Sequence, residues 1–183
     1  MLYKILFAGP VGAGKTTAIA SVSDSEVVQT DARATDEVAA RKDQTTVAMD
    51  YGTLEVDDSL IIQLVGTPGQ QRFDFMWDIL ARGALGVVVL VDNARPDPLA
   101  DLQFYMSNFH RLLEPCGGKG VIGITRCDLD RRLSLDDYRH CIRESGYRWP
   151  VFEVDARSRI DVKVALLALT AELNPQPHRR RVA

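Results

Sequence analysis

Short, almost wholly apolar runs alternate along this chain with longer stretches whose apolar residues recur at helical spacing. "YKILFA" (3–8), "SLIIQLV" (59–65), "LGVVVLV" (85–91), "GVIGIT" (120–125) and "VFEV" (151–154) read as buried strands. The last three are nearly continuous, as parallel strands covered on both faces are. "TVAMDYGTLEV" (46–56) alternates instead, and Asp57-Asp58 separates it from the next run, which predicts a hairpin and an antiparallel pair at a sheet edge. Helices are expected over 15–22, 71–82, 97–113, 135–145 and 160–173. Pro96 and Pro98 suit the first turn of the third; Ser134 or Asp136 can cap the fourth, and Gly146 can end it. The alternation predicts one α/β domain over 1–173, with helices on both faces of a mostly parallel sheet. The polar stretch 23–45 is long enough to predict a functional loop, and 174–183, "NPQPHRRRVA", a flexible basic tail.

Composition narrows the classes. The chain has 183 residues, 46% apolar and 26% charged, enough for one domain with a substantial core. Lys plus Arg number 22 against 25 Asp plus Glu, a net charge of −3 that gives no general pull toward nucleic acid or anionic membrane. The "HRRRVA" end reads as a solvated tail, so no nucleic-acid partner is expected, nor membrane binding without help from a partner. Cys116, Cys127 and Cys141 are scattered, as free thiols in a reducing cytoplasm would be. No cleavable signal, membrane-spanning run, myristoylation glycine or prenylatable cysteine is read, which predicts a cytoplasmic protein.

Candidate chemistry begins at "GPVGAGKTT" (9–17), where Gly9, Gly14, Lys15 and Thr16 complete G-x-x-x-x-G-K-[ST] between a strand and a helix. Such a loop wraps a phosphate chain with backbone N–H groups from Val11, Gly12, Ala13, Gly14 and Thr17 at a helix N-terminus. Lys15 would bridge the β- and γ-phosphates, and the Thr16 hydroxyl would coordinate Mg²⁺. "GITRCD" (123–128) ends the fifth strand, where a base-binding loop belongs. The Asp128 carboxylate can accept from guanine N1–H and its 2-amino group, donors that adenine lacks. In "VDARSR", Ala156 could offer its N–H to guanine O6, with Arg157 alongside.

The ordered set "GPVGAGKTT…TTVAMDYG…VGTPGQQRF…TRCD…DAR" resembles the Ras-like small GTPase superfamily over about 3–173, nearest its prokaryotic branch of MglA-type polarity and motility proteins. The resemblance implies a P-loop NTPase G domain with a six-stranded, mostly parallel sheet, one antiparallel edge strand, and GTP or GDP at the strands' carboxyl ends. It makes Thr46, with Thr45 as alternative, the switch I threonine that completes the Mg²⁺ shell and senses the γ-phosphate. Gly69 becomes the glycine whose N–H contacts that phosphate, and Gln70 the residue that orients the attacking water. Gln70, Lys15 and Thr46 are thus the expected catalytic set, with Thr16 and Thr46 as metal ligands.

Four departures shape the expectation. "GTPG" has Gly66 where the family has a Mg²⁺-holding Asp, so coordination would rest on Thr16 and Thr46 or on another carboxylate such as Asp50. Thr125 and Arg126 replace the commoner Asn and Lys, and Arg126 can still cover the base with its flat guanidinium. Val11 occupies a position that is Gly in Ras and would crowd Gln70. Thr45 stands where MglA-type proteins carry an Arg, leaving Arg33, Arg41 and Arg72 as cis candidates. A missing arginine is worth roughly 10³–10⁵ in rate, which predicts slow intrinsic GTP hydrolysis. "RFDFMWDIL" (72–80) holds more large apolar residues than one helical stripe needs, so part of it would face a partner and part the core. The resemblance implies a GTPase-activating protein and an effector at the switch regions, roadblock-type proteins among the candidates. A GTP-binding scaffold without turnover, and a P-loop kinase, are the alternatives to a switch.

Overall fold

The continuously apolar runs fold as strands because only a sheet covered on both faces hides both rows of their side chains. The computed structural model describes residues 2–29, 49–57, 60–70 and 73–173. Strands β1 (Leu2–Ala8), β4 (Leu60–Gly66), β5 (Ala84–Asp92), β6 (Gly120–Thr125) and β7 (Val151–Glu153) run parallel. β3 (Asp50–Asp57) pairs antiparallel with β4, as its alternation and acidic turn predict. The six expected strands are all there. A two-residue strand, β2 (Val28–Gln29), extends the sheet beyond β3, giving the order β2-β3-β4-β1-β5-β6-β7.

Among the described residues five α-helices cover the sheet: α1 (Lys15–Val22), α2 (Phe75–Ala81), α3 (Pro98–Leu113), α4 (Leu135–Glu144) and α5 (Arg159–Leu173). On one face Ile19 and Leu169 bury against Ile5, Phe7 and Leu64; on the other Trp77, Phe109 and Ile142 bury against Leu6 and Val89. Asp97 caps α3 by accepting from the Ala100 N–H at 3.0 Å, with Pro98 in the first turn. Pro96 falls before that cap, outside the helix. Ser134, not Asp136, caps α4, through a reciprocal box with Asp137. Gly146, at φ 80°, closes it: its N–H donates to Arg143 O and that of Tyr147 to Ile142 O. α2 begins later than the periodicity predicts, because the Phe73 N–H bonds Gln70 O in a tighter turn first. The tail, Thr46 and most of the 23–45 loop lie outside the described residues.

The parallel strands deliver their carboxyl ends to one edge, where the crossover loops must sit. Their packing leaves little slack. Trp149 is buried, held by its indole N–H on Gly118 O at 2.9 Å, and its ring carbons lie 2.6 Å from where a Cβ on Gly120 would stand. Gly120→Ala should therefore destabilise the domain by about 1–3 kcal/mol through overpacking. A urea midpoint equal to that of the parent protein would refute this account of the β6–Trp149 contact.

Candidate functional site

The glycine loop is shaped by what surrounds it. Gly9 has φ 138°, and a Cβ there would lie 2.1 Å from Leu90 O, so no other residue fits. Gly14, at φ 94°, opens α1 with no side-chain cap and no acid in the first turn, leaving the helix's first N–H groups for an anion. A Cβ on Gly14 would meet the Ala156 Cβ at 2.9 Å, so the loop and the "DAR" turn are in contact. Lys15 is buried, and its Nζ donates to Gly9 O and Pro10 O, both at 2.8 Å. Burial pushes its pKa down to about 8, against an opposing pull from the Asp50 carboxylate.

Next to Lys15, the Thr16 hydroxyl donates to Asp50 Oδ2 at 2.6 Å. Asp50 pairs with Gly66 across the β3–β4 ladder, and a Cβ on Gly66 would come within 2.9 Å of that same carboxylate oxygen. The Asp50 carboxylate thus fills the space that a side chain on Gly66 would take. Thr46, expected beside them, lies outside the described residues.

Across the loop opens a cleft of about 820 Å³, lined by 12–17, 124–129, Arg131, 153–157 and Asp161. It brings together Gly12, Ala13, Gly14, Lys15, Thr16, Thr17, Thr125, Arg126, Asp128, Ala156 and Arg157. Gly9, Val11, Gly69 and Gln70 do not line it. The buried Thr125 hydroxyl lies 3.1 Å from Ala13 O and 3.3 Å from Val91 O, so it ties the β6 loop to the phosphate loop. Arg126 sits at φ 58°, with its guanidinium donating at 2.8 Å to Asp92, a carboxylate only 4% exposed. Arg157 folds onto Asp155 with two bonds of 2.9 Å. Burial pushes the Cys127 thiol up to about 11, which keeps it protonated near neutrality.

A brace beneath the cleft is absent from the sequence reading. The buried Asn93 donates to Asp130 O and accepts from the Tyr138 hydroxyl, joining the ends of β5, the "TRCD" loop and α4. Its signal was an Asp-Asn pair closing the most apolar strand of the chain. Gly69 lies against the phosphate loop, where a Cβ would meet Lys15 Nζ and Val11 N at 2.7 Å each. Val11 is 59% exposed. Within "RFDFMWDIL", Phe73 and Trp77 are buried while Phe75 and Ile79 are exposed, so the stretch serves both core and surface. Arg72 lies outside the described residues. Among the described residues no three His, Cys, Asp or Glu side chains cluster as a metal site, and no helix is long and apolar enough to cross a membrane.

The architecture is the α/β fold of P-loop GTPases. A family model described as "Conserved hypothetical ATP binding protein" matches residues 24–141. The chain is also similar to the Ras-related protein Rab-1C of Dictyostelium discoideum, 25% identical over 176 residues that cover 94% of this chain and 81% of the relative. The GTP-binding protein ypt2 of Schizosaccharomyces pombe is 25% identical over 180 residues, covering 96% and 82%. The Ras-related protein Rab-13 of Bos taurus is 24% identical over 177 residues, covering 94% and 80%.

The position of Lys15 would make phosphate binding at this loop pH-dependent. An anion favours the ammonium, so binding takes up a proton wherever the free lysine is neutral, above about pH 8. Affinity for a nucleoside diphosphate should hold up to that point and be about tenfold weaker at pH 9 than at pH 7. Titrations with Lys15→Met should be weaker throughout and lose the slope; an unchanged slope would place the titrating group elsewhere.

Proposed function

We propose that this chain, which belongs to the family described as "Conserved hypothetical ATP binding protein", is a guanine-nucleotide switch that hydrolyses GTP slowly to GDP and phosphate. One observation carries the reading: the glycine loop and the carboxylate-bearing "TRCD" loop line one cleft, tied by the Thr125 hydroxyl on Ala13 O. The names of the Rab and ypt2 relatives support a GTP-binding protein of the Ras-like superfamily. The MglA-type, prokaryotic assignment rests on the ordered motif set from the glycine loop to "DAR".

In this reading the N–H groups of 11–17 hold the phosphates, Lys15 neutralises charge between β and γ, and Asp128 accepts from guanine. Arg126, anchored on Asp92, covers the base with a fixed planar surface. Gly69 and Thr46 sense the γ-phosphate, and Gln70 orients the water that attacks it. Mg²⁺, when bound, would neutralise charge on the β- and γ-oxygens. The oxygen donors Thr16 and Asp50 suit so hard a cation. Asp50 then does from β3 what an Asp at Gly66 would do from β4. Asp50→Asn should abolish the Mg²⁺-dependent slowing of GDP release while leaving binding without Mg²⁺ intact; slowing equal to that of the parent protein would exclude Asp50.

Output is a change in affinity for protein partners at the switch surfaces, where Phe75 and Ile79 are exposed. A GTPase-activating protein and an effector are the expected partners, roadblock-type proteins among them, in the cytoplasm. The domain spans 1–173 and the basic tail 174–183. Single-turnover hydrolysis separates switch from scaffold: Gln70→Leu should slow it, whereas a negligible rate in both proteins would make the chain a scaffold.

The family's description favours ATP instead, and competition among GTP, GDP, ATP and XTP decides between the bases. GTP and GDP should bind at least about a hundredfold more tightly than ATP, and Asp128→Asn should shift the preference toward XTP. ATP binding that is tight and indifferent to Asp128→Asn would overturn the guanine reading.

A further inference from the structure

The loop that would sense the γ-phosphate is held from behind by two aromatic side chains. The Tyr105 hydroxyl, from α3, donates to Gly69 O at 2.8 Å, and the Trp77 indole N–H, from α2, donates to Pro68 O at 3.3 Å. The two rings pack tilted at 44° with centroids 5.4 Å apart, and Phe109 packs on Trp77 at 5.0 Å, so both donors are held by the core. Burial raises the Tyr105 pKa well above its ordinary value, so the hydroxyl stays a donor at any physiological pH.

These bonds hold Gly69 against Lys15, the residue proposed to bridge the β- and γ-phosphates. A point one C–C bond from the Gly69 Cα lies 2.7 Å from Lys15 Nζ and 2.7 Å from Val11 N. Pro10 C is 2.9 Å from the same point, so the Gly69 backbone is pressed against the Lys15 end of the glycine loop with no space between them. Lys15 Nζ is turned instead to Gly9 O and Pro10 O. Gly12 to Thr16 line the open cleft, whereas Gly69 does not. The loop also carries an unmet bond here: Thr67 Oγ1 is buried without a partner among the described residues, a cost that a displaced loop can relieve.

We infer that Tyr105, assisted by Trp77, is a positioning residue that sets discrimination between nucleoside triphosphate and diphosphate, by latching Gly69 into the γ-phosphate's place. The triphosphate has to break the Tyr105 bond to enter, and the diphosphate does not. The motion passes through Trp77 into α2, whose outer residues Phe75 and Ile79 are exposed. The inference rests on the guanine-nucleotide reading and adds to it the residue that tunes its two states.

Tyr105→Phe deletes the hydroxyl and keeps the ring. Affinities for GDP and a non-hydrolysable GTP analogue, measured by calorimetry, should show the analogue-to-GDP ratio rising about two- to tenfold, with GDP affinity unchanged. Trp149→Phe leaves Trp77 as the sole tryptophan, and its fluorescence should change with the analogue and not with GDP. Should Tyr105→Phe unfold at a much lower temperature, Trp77→Phe, which removes the Pro68 bond, must raise the ratio in the same direction. Intact GDP binding with an unchanged ratio and a silent Trp77 overturns the latch alone. Parent protein that binds neither nucleotide overturns the guanine reading and the latch together.

Discussion

Lys15 carries a positive charge into a site where its side chain is buried, and the loops around it are arranged to keep that charge tolerable. An unpaired buried ammonium is among the costliest groups a fold can hold. Here two backbone carbonyls, Gly9 O and Pro10 O, stand in for water at 2.8 Å, and the Asp50 carboxylate pulls the other way against desolvation. The fallen pKa shows that the compensation is incomplete. That residual cost is what a phosphate chain can remove, so the site is built to prefer an anion to its own carbonyls.

Holding those carbonyls in place requires the surrounding backbone to be stiff, and its stiffness comes from the strand ends. Gly9 is wedged under Leu90 O of β5, Ala13 O is gripped by Thr125 of β6, and Gly14 abuts Ala156 beyond β7. Three parallel neighbours therefore fix one loop at three points. Asp92 and Asn93 repeat the device at the next level, fastening Arg126 and the "TRCD" loop to the end of β5. The energy of the buried sheet is spent at its carboxyl edge on geometry.

Most of this frame could be read from the residues. Among the described residues, the apolar runs and the 3.6-residue spacing located six of the strands and the five α-helices, because burial on two faces leaves few other foldings for such runs. The two segments that line the cleft, 12–17 and 124–129, were legible as candidates because G-x-x-x-x-G-K-[ST] and TRxD set particular residue types at fixed spacing. The two-residue β2 was not, since it exists only through pairing with Tyr51 and Asp50 on β3. Asn93, Tyr138 and Tyr105 escaped for the same reason: each acts on a backbone carbonyl or amide group distant in the chain, and no local pattern announces such a partner. Trp77 was visible as a large residue in the apolar-rich stretch 72–80; that its nitrogen reaches back to Pro68 was not.

Gly66 shows how a position can look lost in sequence and be filled in space. Read alone, it is a carboxylate replaced by hydrogen. The β3–β4 register sets Asp50 opposite it, and the carboxylate of Asp50 comes so near that a Cβ on Gly66 would stand 2.9 Å from Oδ2 and 3.1 Å from the Asp50 Cβ. The two positions are therefore coupled by volume. With Asp at 50, a side chain at 66 has no room; with Asp at 66, the carboxylate at 50 would face a like charge at contact distance, which neither desolvation nor repulsion would allow. One carboxylate fits beside Thr16, and the antiparallel pair decides which strand supplies it. The glycine follows from that choice.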